Sequence, residues 1–168
     1  MLRVPKRYIK MTADQKKEFT RKITQANSTE LIVILYDICL VYVNEAIGFM
    51  EEGKKEEAKV QMDFAKRCIE EMINNLHFEY DLATVLHRIY LSMKKSLRDG
   101  MLDWKIEHLI FVKDNLSALR NSYSQIVSQD KSAPVMGHTQ TVVAGLTYGK
   151  HSLNESLAKD SGSRGFFV

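Results

Sequence analysis

Proline is nearly absent from this chain of 168 residues: Pro5 and Pro134 are the only two. Nothing between them therefore forces a helix to break. Regular alternation of Val, Ile and Thr with polar residues is also missing over any long run, so the signal for strands is weak. Cysteine is scarce. Cys39 and Cys68 both fall in helical patterns, with no CxxC and no other metal spacing. They read as two buried apolar thiols of a reducing compartment, with a disulfide as the alternative. A secretory signal is not expected, because no apolar stretch of about 7–15 residues follows the basic opening MLRVPKRYIK. The longest apolar run, Leu31 to Val43, is broken only by Asp37 and is shorter than the ~20 residues of a membrane span, so no membrane insertion is expected.

Signatures of catalysis are missing too. There is no P-loop, no GxGxxG and no GxSxG. A di-iron carboxylate bundle needs Glu-x-x-His pairs. The residues three before His77, His87, His108, His138 and His151 are Asn74, Thr84, Lys105, Val135 and Tyr148, none of them acidic. His87 lies beside an apolar stripe and reads as a half-buried bonded histidine, with a catalytic base as the alternative. Asp37 reads as part of a solvated stripe or as the partner of a cation, with a buried acid of raised pKa as the alternative. The expectation is no enzyme, no cofactor, no catalytic residue and no metal ligand.

What is present is apolar residues at helical spacing, making up 45% of the chain together with the other hydrophobic positions. That is enough for the core of one domain. Charge is uneven. Residues 1–22 carry eight Lys/Arg against two Asp/Glu, residues 23–130 carry twelve against seventeen, and residues 131–168 carry four against two. The middle is acidic and the flanks are basic. A nucleic-acid binder usually carries its basic stripe on the folded part, so nucleic acid is disfavoured as a partner.

The spacing predicts a short helix over 12–24, with Phe19 and Ile23 on one face. Asn27-Ser28-Thr29-Glu30 predicts a capping box opening a second helix that runs to Glu52, before Gly53 as a left-handed stop. This second helix is apolar almost all round. Glu30, Asp37, Asn44 and Glu51, seven apart, mark a narrow polar stripe. Such a helix is covered almost all round. Either it is central in its bundle, or a partner covers part of it. A third helix over 55–75 carries the seam Ala58, Met62, Ala65, Ile69, Met72 and Leu76. A fourth over 82–99 carries Leu82, Leu86, Ile89, Met93 and Leu97, flanked by Val85 and Tyr90 and ended by Gly100. A fifth over 104–128 carries Ile106, Leu109, Val112, Leu116, Leu119, Tyr123 and Ile126.

Short connections make neighbours antiparallel. The expected fold is all-α: an up-and-down four-helix bundle over 25–129 with a short N-terminal helix in the segment 1–24. Residues 130–168 form a glycine-containing extension with apolar islands at 142–148 and 166–168. The islands read either as disordered tail or as segments that dock on the bundle or a partner.

The run ANSTELIVILYD, Ala26 to Asp37, resembles the opening of the second helix of the flagellin export chaperones, the FliS family: a small or polar cap, then Glu-Leu, then apolar residues into Leu-Tyr-Asp. Ala65 to Leu76 resembles that family's third helix, Leu86 to Leu97 its fourth, and Leu119 to Tyr123 the end of its last, so the likeness spans about residues 19–127. The family's glycine after Leu-Tyr-Asp is Ile38 here, which fills space a glycine would leave open. Phe19 stands about where the family has a tyrosine, and the chain past 130 exceeds the usual family end.

The resemblance implies a cytoplasmic protein that binds the disordered C-terminal region of flagellin, prevents premature polymerisation and delivers it to the flagellar export gate. Amphipathic segments of that kind fold as helices in apolar grooves. The groove expected here takes Leu31, Leu35, Tyr36 and Leu40 from the second helix and Tyr90, Met93 and Leu97 from the fourth, with Phe19 and Ile23 as its cover in the free protein. For Leu35 and Met93 in particular, plain core is the competing reading. A helical adaptor for a different partner is the alternative function. A monomer and a homodimer are both compatible with the sequence.

Overall fold

The computed structural model describes residues 11–136. The apolar islands at 142–148 and 166–168, the basic residues 1–10, and His138 and His151 lie outside the described residues. Among those described there are five α-helices and no strand: α1 Ala13–Gln25, α2 Ser28–Glu51, α3 Lys55–Asn74, α4 Asp81–Asp103 and α5 Ile106–Val127. The all-helical fold with an extra N-terminal helix is as expected.

Local chemistry sets the boundaries. Asn27 Oδ1 accepts from the Glu30 N–H at 2.9 Å, and Glu30 Oε2 accepts from the Asn27 N–H at 2.9 Å. This reciprocal pair satisfies donors left free at the start of α2. Thr12 and Gln15 make the same arrangement at the start of α1, one the sequence reading did not single out. At the end of α2, Gly53 takes φ 70°, the Lys54 N–H donates to the Phe49 carbonyl at 2.8 Å, and the Gly53 N–H donates to that of Met50 at 3.1 Å. This six-to-one and five-to-two pairing is a Schellman stop, and only a residue without Cβ takes that φ without strain.

Around the bundle, α2 packs on α3 and α5, and α4 packs on those same two helices from the opposite corner. Helix α2 is thus a corner, not the centre, with α1 laid against it. Tyr36, Cys39, Val43, Ala46, Phe49 and Met50 point into the core, while Leu31, Val33, Leu35, Ile38, Leu40, Val41 and Tyr42 stay half-buried. Its neighbours α1, α3 and α5 thus leave part of the apolar surface of α2 half-buried. By length and composition α2 could cross a membrane. In this fold its apolar side lies against α3 and α5, and Asp37 is bonded to Arg120 of α5 at 2.9 Å. The pair is partly exposed and so contributes about 1 kcal/mol or less.

The seam of α3 is as expected: Ala58, Met62, Ala65, Ile69 and Met72 are all buried. Phe64 widens it by stacking on Tyr42, with ring centroids 5.2 Å apart. Cys39 and Cys68 are both free thiols. Cys39 reaches the Ala65 carbonyl at 3.6 Å; interaction with Cys68 and burial raise its pKa, while Cys68 is lowered by the same contact.

Helix α4 departs from expectation in two ways. Its buried seam is Ala83, Leu86, Tyr90, Met93, Leu97 and Gly100, whereas Leu82 is 58% exposed and Val85 52%. The stripe is turned so that the Tyr90 hydroxyl can meet that of Tyr36 across the core at 2.6 Å, a bond that neither Leu82 nor Ile89 could make. Gly100 also does not end the helix. Helix α4 continues to Asp103 and stops at Trp104, which takes the left-handed conformation at φ 54°.

The glycine serves close approach instead. A Cβ there would stand 2.7 Å from Leu109 Cδ1 and 3.3 Å from His108 Cβ of α5. Gly100→Ala should therefore be destabilising by about 1–2 kcal/mol, overpacking outweighing the gain in helix propensity. Thermal melting followed by circular dichroism checks this; a more stable variant would contradict the packing argument.

Candidate functional site

At one end of the bundle the start of α2, the end of α3, the start of α4 and the end of α5 converge without filling the space between them. The α4 seam begins there with the small Ala83, and no large side chain completes the layer. The result is an apolar groove of about 630 Å³, walled by Leu31, Ile32 and Leu35 of α2, Met72 and Leu76 of α3, Leu82, Leu86 and Tyr90 of α4, and Tyr123 of α5. That volume lies within the ~300–1,000 Å³ typical of sites that take up another molecule. The polar side chains in the lining are Ser28, Asn75 and His77 and the hydroxyl-bearing Tyr80, Tyr90 and Tyr123.

The floor is a tyrosine cluster. Tyr36 is fully buried, with its hydroxyl 2.6 Å from that of Tyr90 and its ring centroid 5.7 Å from that of Tyr123. Burial raises the pKa of all three, that of Tyr90 to about 12. Phenols are uncharged near neutral pH in any case, as an apolar guest requires. The rim is apolar and open: Tyr80 is 65% exposed and Leu82 58%.

The expected site residues divide along the bundle axis. Leu31, Leu35 and Tyr90 come together in the groove wall, with Tyr36 beneath them. Met93 and Leu97 are fully buried further along the α4 seam, and Leu40 is packed half-buried against the same core; none of the three lines the groove. They follow the groove residues at helical spacing, and that spacing says nothing about where along the axis the core opens. Phe19 and Ile23 do not line it either. Helix α1 lies over a different face of α2, where Arg21, Lys22, Val33, Ile34 and Val127 border a second, more polar cavity of about 500 Å³. The cover assigned to Phe19 and Ile23 is thus not over this groove in the structure described.

Several groove residues escaped the sequence reading. Leu76 and Leu82 were visible as stripe positions but assigned to core. Ile32 was one of many apolar residues on α2. Tyr80 gave no signal at all, being in the connection between α3 and α4. Among the described residues no three His, Cys, Asp or Glu side chains group as a metal site would need.

The described residues form a helical bundle with an open apolar groove at one end. The chain belongs to the family of the flagellar protein FliS, whose model matches residues 11–130. The family makes it a chaperone of flagellar export and assembly. None of the curated proteins matches the chain.

Proposed function

We propose that the end groove receives the C-terminal region of flagellin, keeping it from polymerising in the cytoplasm until it reaches the flagellar export gate. The observation carrying this reading is the open apolar groove of about 630 Å³, in which Leu31, Leu35 and Tyr90 meet. A disordered amphipathic segment that folds on binding loses conformational entropy, which burial of its apolar face offsets. A preformed groove with an uncharged floor supplies that burial at no cost in unpaired polar groups. At the groove end of α2, a guest would cover Leu31, Ile32 and Leu35, which the bundle leaves half-buried or exposed.

Calorimetry with the C-terminal segment of the flagellin from the same organism tests the proposal. Binding at one segment per chain with a negative heat-capacity change is the expected result. Absence of binding at concentrations well above those of the export process would overturn it.

A further inference from the structure

Past α5 the chain turns back over the groove end of the bundle instead of leaving it. Asp130 is the hinge: its carbonyl accepts from Asn27 Nδ2 at 3.1 Å, and its carboxylate accepts from the Thr29 hydroxyl at 2.5 Å and from the Thr29 N–H at 3.4 Å. Five residues on, the Val135 N–H donates to the Ala26 carbonyl at 3.0 Å. These bonds join residues about a hundred positions apart and fix both ends of the segment 130–135 to the start of α2. Pro134 restricts its own backbone and favours an extended Ala133, which stiffens the span between the two anchors. The Ser132 and Thr29 hydroxyls hold the Asp130 carboxyl well below the usual carboxylate range, in keeping with a fixed turn.

The position of this strap has a consequence for binding. Val135 is one of the residues lining the groove, and it is 60% exposed. An apolar side chain left open, in a segment bonded in place, at the lip of an apolar groove has no role in the core. The stretch that matches the family ends at residue 130, so this wall is an addition to the matched bundle.

We infer that the strap 131–136 is a built wall of the client groove, and that Val135 grips an apolar side chain of the guest. This rests on the groove being the flagellin site. The guest that fits is an amphipathic helix whose apolar stripe is wide enough to touch both Leu35 inside the groove and Val135 on its outer lip.

The test is calorimetry of the full chain with the flagellin C-terminal segment. Val135→Asp should weaken binding at least tenfold with an unchanged melting temperature, because the native side chain is largely exposed. Leu102→Asp is the control, since Leu102 is 75% exposed near the end of α4, away from the groove. It should bind as the native chain does. Asp130→Ala should speed hydrogen exchange at the Val135 amide and weaken binding several-fold. Equal binding by the native and Val135→Asp chains would sink the strap inference alone. If the native chain binds nothing, the strap inference falls together with the functional reading.

Discussion

Replacing Leu35 by aspartate should weaken capture of the flagellin C-terminal segment by roughly two to four orders of magnitude. Leu35 lines the groove on α2, facing the region of Leu86 and Tyr90. A guest that covers it gains on the order of 1.5–3 kcal/mol from the buried leucine. An aspartate in its place loses that gain and leaves a carboxylate desolvated without a partner, at a further cost of about 1–3 kcal/mol. Each ~1.4 kcal/mol is a factor of ten in affinity. Because Leu35 is half-buried, the variant also loses some folding stability, so a second variant separates the two effects. Leu82→Asp alters an exposed groove residue on α4 and should weaken binding while leaving the melting temperature unchanged. Isothermal titration of both variants, with melting curves beside it, decides the matter. Full-strength binding by both would mean the guest lies elsewhere.

The two variants also mark where the sequence was readable and where it was not. Asn27 and Glu30 define the start of α2 through chemistry that acts over three residues, and the structure has that bond pair as expected. Gly53 is similar: a local left-handed stop. The α3 seam is legible because every second turn repeats the same apolar demand. Gly100 looked like Gly53 and was not. Its use depends on Leu109, nine residues on and in another helix, so no local pattern could distinguish a stop from a close approach. The same limit applies to α4. Leu82, Val85 and Ile89 are as apolar as the residues that face inward, and what turns the helix is the meeting of Tyr90 with Tyr36, fifty-four positions away.

The groove lies beyond both kinds of signal. Leu31 and Leu35 could be chosen because α2 has more apolar surface than one face can bury. Met93 and Leu97 were chosen by the same logic and are core, since spacing gives the face of a helix and not the depth at which neighbours diverge. Phe19 and Ile23 are half-buried on α1, which meets α2 away from the groove. Val135 follows Pro134 in a segment with no periodicity, and hydrogen bonds from Asp130 and Val135 to the start of α2, about a hundred positions away, bring it to the groove.

Tyr36 is where fold and groove depend on one side chain, and its replacement should have the largest effect on stability. It is fully buried between α3, α4 and α5 side chains, and Tyr36→Ala removes an aromatic ring from a packed core. Such truncations cost about 3–5 kcal/mol, against a total of about 5–15 kcal/mol for a domain. The variant should therefore melt far below the native chain or be largely unfolded. Tyr36→Phe keeps the ring and removes only the hydroxyl, stranding that of Tyr90, at about 1–2 kcal/mol. The same cluster sets an alkaline limit on the fold. Burial holds the pKa of Tyr90 near 12 and raises those of Tyr36 and Tyr123, whereas tyrosines of the unfolded chain ionise near 10. Above about pH 10 the unfolded chain has therefore lost more protons than the folded one, and stability falls as pH rises through the window from 10 to 12. Tyrosinate absorbance followed alongside circular dichroism should show these rings ionising together with loss of helix. Ionisation of these three near pH 10 with the helices intact would mean that the floor of the groove is open to water.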